Sequence, residues 1–352
     1  MTRRGFGLTA AGAALAAGLH AAPNVCMRNM RRAFHNGEHN AFTDLTWFQG
    51  RIYLTFRSCP DGHMIFPTST IRVLESEDLG QNWREVHHFS APKRDVRDPH
   101  FLVFDDKLFV YSGTWYCGDG PPKQREANQM LGYAAVSRDG RSWDGPYELE
   151  GTYGHYIWRA AAFAGRAYLC GRRKRSFAEL PVTSEEGRRI TESVMLESED
   201  GLRFRTAGFF QKEWGNETAF QIASDGAVTA VARTIGKAQL CRSLPPYDDW
   251  TRKELNRHVG GPLLARWQGR YLVGGRHMTD DQPPVTTLYW LENDDLEEIA
   301  RLPSGGDNSY PGLVERPSGD ALVSWYSTHE KDSAGKPFTA IYLAELSLGA
   351  CG

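Results

Sequence analysis

One outline is written six times along this 352-residue chain: a few apolar residues, a tight turn carrying Gly or Asp, then a second apolar run. The copies are residues 41–57 (AFTDLTWFQGRIYLTFR), 98–113 (DPHFLVFDDKLFVYSG), 157–173 (IWRAAAFAGRAYLCGRR), 216–233 (NETAFQIASDGAVTAVAR), 260–276 (GGPLLARWQGRYLVGGR) and 309–327 (SYPGLVERPSGDALVSWYS). Their starts lie 44 to 59 residues apart. The turn pairs Gln49-Gly50, Asp105-Asp106, Ala164-Gly165, Asp225-Gly226, Gln268-Gly269 and Ser318-Gly319 are hairpin chemistry. A hairpin recurring at this interval is the signature of propeller blades, which repeat at about 40–50 residues and lengthen with their loops. The expected fold is therefore all-β: a six-bladed β-propeller of four-stranded blades, each segment being the first hairpin of one blade. No long stretch with a 3.6-residue apolar period supplies the helices of an α/β fold.

A second motif follows three of the hairpins. Ser76-Glu77-Asp78-Leu79-Gly80-Gln81-Asn82-Trp83 fits S-x-D-x-G-x-x-W, and Ser137-Arg138-Asp139-Gly140-Arg141-Ser142-Trp143 and Ser198-Glu199-Asp200-Gly201-Leu202-Arg203-Phe204 are shortened versions. Asp accepts backbone N–H bonds inside such a turn, Gly takes a positive φ, and the aromatic plugs the blade. The spacing puts each turn between the two outer strands, and residues 243–250 read as a degenerate fourth copy. The motif resembles the Asp-box of sialidases and related BNR-repeat propellers. It speaks for fold and carries no chemistry, because Asp-boxes sit away from the site.

Residues 1–22 differ in kind. Thr2-Arg3-Arg4-Gly5-Phe6-Gly7-Leu8 precedes a short Ala/Gly-rich apolar stretch and small residues up to Ala22, the layout of an export signal. The paired arginines resemble a twin-arginine signal, so a periplasmic or secreted protein is expected, with residues 23–352 as one propeller domain. The apolar stretch is too short to span a bilayer. The net charge of −2 lacks the basic excess that nucleic-acid binding would favour. No nucleic-acid partner, no membrane insertion and a monomer are expected. The six cysteines form no CxxC and no His/Cys cluster with zinc spacing, so buried free thiols, no cofactor and no metal are expected.

Strand geometry gathers the residues that carry chemistry. The start of a hairpin's first strand and the end of its second lie together, so these positions in all six segments should ring one mouth of the central channel. They are Asp44 and Arg57; Arg97, Asp98 and Trp115; Trp158 and Arg159; Glu217 and Arg233; Arg276 and His277; and Tyr310, Tyr326 and His329. The turns at the opposite ends offer mostly Gly, Asp, Gln and Ser. Arginine at this density suits an anionic ligand, because guanidinium pairs bidentately with carboxylate. The histidines His39, His63, His277 and His329 would form a metal or base cluster if the blades bring them together. Val96-Arg97-Asp98-Pro99 is similar to strand starts in five-bladed glycosidases, and Arg172-Arg173-Lys174-Arg175 reads as a solvated loop.

The fourth to sixth segments resemble sialidases residue by residue. Asn216-Glu217-Thr218-Ala219 through to Arg233 is similar to the stretch in which a Glu opens a strand and a triad arginine closes the hairpin. Arg276 resembles the next triad arginine, and Tyr310 resembles the tyrosine nucleophile. The resemblance implies Tyr310 as nucleophile, Glu217 as its base, and Arg233 and Arg276 as a carboxylate clamp. A neutral phenol suits an anomeric carbon that bears a carboxylate, where Asp or Glu would be repelled. The first segment departs from the family: His39-Asn40-Ala41-Phe42-Thr43-Asp44-Leu45 stands where an Arg-Ile-Pro element is expected. Arg57 or Arg97 could replace the missing arginine. Asp61 and His63 lie in the loop corresponding to the family's acid/base loop, and the proton donor stays open among Asp44, Asp61 and His63. Asp98, Trp158, His277, Tyr326 and His329 complete the expected substrate contacts.

The function expected from this is an exo-acting glycoside hydrolase of sialidase type, taking a terminal acidic sugar (sialic or uronic) from an oligosaccharide or polysaccharide. The alternatives are a polysaccharide lyase, in which Arg neutralises a uronate while His or Tyr takes the C5 proton, and a non-catalytic glycan-binding propeller.

Overall fold

The computed structural model describes residues 24–120, 126–181, 183–279 and 281–349; the expected signal segment and Cys351 lie outside them. Six antiparallel four-stranded sheets follow one another along the chain. Blade 1 is His39–Phe48, Arg51–Cys59, Thr70–Ser76 and Arg84–Phe89; blade 2 is Arg94–Phe104, Lys107–Tyr116, Leu131–Ser137 and Trp143–Glu148. Blade 3 is Tyr156–Phe163, Arg166–Lys174, Thr191–Ser198 and Arg205–Gln211; blade 4 is Thr218–Ile222, Val228–Ala232, Gln239–Ser243 and Trp250–Glu254. Blade 5 is Gly260–Trp267, Arg270–Thr279, Gln282–Glu292 and Asp295–Arg301. Blade 6 takes Asn308–Glu315, Ala321–Lys331 and Pro337–Leu348 from the C-terminal end and Val25–Phe34 from the N-terminal end as its outer strand. The first strand of each blade packs beside those of its two neighbours, and the last returns to the first. The ring is closed, and it is a six-bladed β-propeller.

All six repeated segments coincide with the innermost hairpins. At four of the turns both central residues have positive φ: Gln49-Gly50, Asp105-Asp106, Ala164-Gly165 and Gln268-Gly269. That backbone matches the right-handed twist of the flanking strands. Large side chains fill the spaces between blades, among them Trp267 stacked on Trp290 and Trp325 stacked on Tyr342. Helix among the described residues is confined to Glu185–Arg189 and two short 3-10 turns. None of it is long and apolar enough to cross a membrane.

The Ser-x-Asp turns lie between the third and fourth strands of blades 1 to 3. Asp78 Oδ1 accepts from the backbone of Gln81 and Asn82, Asp139 Oδ1 from Arg141 and Ser142, and Asp200 Oδ1 from Leu202 and Arg203. Blade 4 carries a version without the Asp, in which Trp250 Nε1 donates to the Tyr247 carbonyl as Trp83 does to Gly80. These turns also join blades. Gly140, at φ 76°, lies so close to blade 1 that a Cβ would collide with Tyr53 Oη, and Tyr111 of blade 2 donates to the Gly201 carbonyl.

One expectation is corrected. Cys59, Cys117, Cys170 and Cys241 are free and buried, but Cys26 is disulfide-bonded.

Candidate active site

The innermost strands are irregular at their mouth ends. Register shifts interrupt five of the six inner hairpins, between Ala41 and Asp44, Arg97 and His100, Trp158 and Ala160, Gly260 and Leu263, and Ser309 and Gly312. Phe42, Asp98, Gly261 and Tyr310 sit in four of these bulges with φ between 47° and 64°. A bulge adds one residue and re-aims a side chain out of the alternation. Three of the four precede proline (Pro99, Pro262, Pro311), which has no N–H to leave unpaired where the ladder breaks. The bulges therefore turn Asp98 and Tyr310 toward the axis.

Tyr310 lies at the centre. Its ring packs edge-on to Phe42 and Trp158, with centroids 4.8 and 5.0 Å away, and its hydroxyl donates to Glu217 Oε1 at 3.0 Å. Glu217 opens blade 4, where its other oxygen is 2.7 Å from Arg233 Nη1 and accepts from the Gly261 backbone at 3.3 Å. Burial alone would raise the Glu217 pKa, but the charges of Arg233 and Arg172 prevail and hold it at about 2. Burial, together with the charges of Glu217 and Asp98, pushes the Tyr310 phenol well above its ordinary value. The pair rests as a neutral phenol on an ionised carboxylate.

Asp98 behaves oppositely. One oxygen accepts from Tyr156 Oη and the other is buried without a partner. Burial, reinforced by the Glu217 charge and only partly offset by Arg97, lifts its pKa to about 7. Two carboxyls of one site are thus driven apart, the mark of groups set for different protonic tasks.

The arginines divide by task. Arg276, in the mouth-side half of its strand, donates to the Asn308 carbonyl at 2.8 Å and reaches Tyr326 Oη at 3.2 Å and Asp307 Oδ1 at 3.3 Å. Its side chain and that of Arg233 keep 22% and 27% exposure at the mouth. Arg57 has no exposed surface. It binds Asp95 at 2.8 Å and the carbonyls of Gly62 and Met64 at 3.0 Å each, while Arg97 bridges Asp95 and the His63 carbonyl. Both pin the 60–69 loop from below. Phe42, not a cation, fills the blade 1 bulge, and the Arg97 guanidinium lies 5.0 Å from its ring centre.

A second layer closes the channel under Tyr310. Arg159 donates to Asp44 at 2.8 Å and to the carbonyls of Pro311 at 2.7 Å and Pro262 at 3.2 Å, tying blade 3 to blades 1, 6 and 5. Asp44 also accepts from the Phe101 backbone at 2.9 Å, and His100 stands 3.5 Å away. Beneath this plug a cavity of about 270 Å³ forms the other end of the channel. Asp44 is spent on Arg159, and Trp158, 1% exposed, is a wedge under Tyr310 with no face open for stacking.

Several expected contacts fall elsewhere. Asp61 is exposed on its loop and accepts from Thr68. His277 contacts the His258 carbonyl, and His329 packs against the Tyr342 ring, tilted by 42° with centroids 4.4 Å apart; neither joins the cluster. His39 and His63 do meet, at Asp307. The 172–175 run is not a solvated loop: Arg172 holds Asn216 at 2.8 Å, Arg173 and Arg175 pair with Glu192, and Lys174 is 3% exposed. Beside it a cleft of about 250 Å³, lined by Trp115, Arg172, Trp214 and Asn216, opens next to Glu217. Sequence reasoning missed Asp95 and Tyr156, which touch the site only through other side chains, and Asp307, which stands at the mouth with 25% of its side chain exposed.

No family model and no curated protein sequence matches the chain. Solved structures do. A Trypanosoma rangeli sialidase in complex with sialic acid aligns with a TM-score of 0.59 at 12% identity over 93% of this chain. The NanB sialidase from Streptococcus pneumoniae aligns at 0.63, 12% and 90%, and the endosialidase of phage phi92 at 0.63, 10% and 92%. The chain spans 59% of the trypanosomal protein, 70% of the streptococcal and 69% of the phage protein. At such identities the likeness speaks for the shared propeller.

Proposed function

We propose that the protein is an exported, exo-acting glycosidase of sialidase type that removes a terminal acidic sugar. The observation that carries this reading is the Tyr310–Glu217 hydrogen bond of 3.0 Å beside Arg233 and Arg276. A nucleophile needs a base within hydrogen-bond reach, and a carboxylate-bearing sugar needs guanidinium partners. In the resting site Arg233 neutralises Glu217. A substrate carboxylate that draws on the same guanidinium weakens its hold on Glu217, so Glu217 becomes more basic as the sugar binds, and the phenol proton can move to it. The phenolate oxygen then attacks the anomeric carbon as the glycosidic bond breaks, and the leaving oxygen takes a proton from the 60–69 loop, where Asp61 and His63 are both open to solvent. Water, giving a proton back to that group, then releases the sugar from Tyr310, which regains its own proton from Glu217. Asp98, with its pKa raised to about 7, stays protonated to a higher pH than an ordinary carboxyl. The cleft beside Asn216 offers room for the rest of the glycan.

One neighbour is described with sialic acid bound, which fits an acidic sugar at this mouth. The histidine pair at the mouth, standing in a blade that lacks the first arginine, favours a lyase as the second reading. One screen on acidic glycans tests both. Hydrolysis gives a new reducing end with no ultraviolet-absorbing product, a lyase gives an unsaturated uronate, and saturable binding with neither leaves only a lectin.

A further inference from the structure

We propose that His39, His63 and Asp307 bind one divalent transition-metal ion of zinc type at the channel mouth. Their candidate ligand atoms all lie within 4.8 Å of one another. His39 opens the first strand of blade 1, His63 comes from the 60–69 loop, and Asp307 immediately precedes blade 6. His39 Nε2 is 3.0 Å from Asp307 Oδ2. His63 Nδ1 approaches the same oxygen to 2.6 Å, yet without the alignment of a hydrogen bond. Two imidazole nitrogens thus crowd one carboxylate oxygen. Donors around a tetrahedral ion with bonds of about 2.0–2.2 Å stand roughly 3.3–3.6 Å apart, so an opening of the cluster by up to about 1 Å admits the ion. Two imidazoles and one carboxylate suit zinc, and three protein ligands leave a position free.

The surroundings hold the donors in place. Asp307 Oδ1 accepts from Tyr326 Oη at 2.9 Å and from Arg276 at 3.3 Å, which aims Oδ2 at the histidines. The backbone around His63 is fixed by Arg57 at the Gly62 and Met64 carbonyls and by Arg97 at its own. Outer partners of this kind orient metal ligands and raise affinity. His63 is 41% exposed, so an ion can enter from solvent. Through Asp307 the ion and Arg276 would stand side by side, two positive groups for one anion, next to blade 1, which has no arginine in residues 39–45. A carboxylate from the sugar would fill the free position. That last step rests on the glycosidase reading; the ion itself does not.

The test is a titration of the chelator-stripped full chain, without a histidine tag, with Zn²⁺ and with Co²⁺. It is followed by calorimetry, by the cobalt visible spectrum and by thermal stability. One ion per chain is expected, with a higher melting temperature. His63→Ala, a loop substitution, and Asp307→Asn should weaken uptake by on the order of 100-fold, and Tyr326→Phe by about tenfold; His329→Ala should bind as wild type. A stripped wild-type chain that gains neither ion nor stability overturns the proposal, as does a folded His63→Ala that binds as tightly as wild type. Sugar release by a chain that takes no ion would end this inference alone; ion uptake by a chain that cleaves nothing would end the glycosidase reading alone.

Discussion

Asp98 and Tyr310 occupy the same place in two different blades: each sits in the mouth-end bulge of an innermost strand, followed by proline, with φ of 47° and 52°. Positive φ is costly for an aromatic or a carboxylate side chain, of order 1–3 kcal/mol, and persists only where the surroundings over-determine it. Here neighbouring blades do so. Thr43 donates to the Tyr310 carbonyl at 2.7 Å, and Tyr156 holds Asp98. The outcome is a phenol and a carboxyl re-aimed into one small chamber.

The phenol oxygen carries the first prediction. Tyr310→Phe keeps the ring against Phe42 and Trp158 and should lose only about 1 kcal/mol of stability with its hydrogen bond. Turnover should fall by roughly 10⁴-fold or more, as when a nucleophile is removed, while binding of the acidic sugar, measured by calorimetry, survives. A rate within a few-fold of wild type removes Tyr310 from the nucleophile's role.

Asp98 predicts a pH dependence of stability. Its folded pKa of about 7 stands above the ordinary aspartate value of 3.8, facing Arg97, Arg57, Glu217 and Tyr156. Because the folded state holds the proton more tightly, the unfolded state ionises first as pH rises. This carboxyl therefore costs nothing below pH about 4, costs progressively more up to pH about 7, and costs a constant amount above it. The ceiling is about 4 kcal/mol. Asp98→Asn should gain stability relative to wild type across that window and show no further change beyond it. Parallel melting curves of the two proteins from pH 4 to 8 would refute the assignment.

The inner hairpins were legible because their signal is local: an apolar run, a turn that tolerates positive φ, another apolar run. Glu217, Arg233, Arg276 and Tyr310 came together because strand ends in a closed ring must share a rim. What sequence did not reveal is where side chains point once a strand bulges. Asp44, Trp158 and Arg159 are strand-start residues like Tyr310, yet they face the plug below it. Asp98-Pro99, Gly261-Pro262 and Tyr310-Pro311 carried the bulge signal in common, but it is readable only once the three hairpins are aligned. Closure by the N-terminal strand was hidden for a related reason, since Val25–Phe34 has no hairpin partner next to it in sequence. Asp307 lies just before the sixth segment in a loop without a motif, and only the ring brings it to His39.

The plug gives a third prediction. Arg159 and Asp44 are both buried, and breaking such a pair strands a charge, at a cost of about 3–5 kcal/mol. Arg159→Met should destabilise by that order. Adding Asp44→Asn should recover part of the loss, because no bare carboxylate remains. Denaturant unfolding of the single and double variants closes the cycle; strictly additive losses would show that Arg159 acts through the Pro262 and Pro311 carbonyls alone.

The 60–69 loop supplies the last prediction, which separates proton donation from sugar binding. A general acid matters in proportion to how poorly the leaving group departs alone. Asp61→Asn should therefore cost about 10² to 10⁴-fold on a sugar–sugar linkage, where the departing alkoxide needs a proton. On a nitrophenyl glycoside, whose phenolate leaves unaided, the variant should stay within about tenfold of wild type. The same comparison with His63→Asn and Asp98→Asn distinguishes the groups around the mouth, since a residue that only binds the sugar lowers both rates together. If Asp61→Asn is equally impaired on both substrates, or on neither, the proton comes from another group and the loop acts only as a wall of the site.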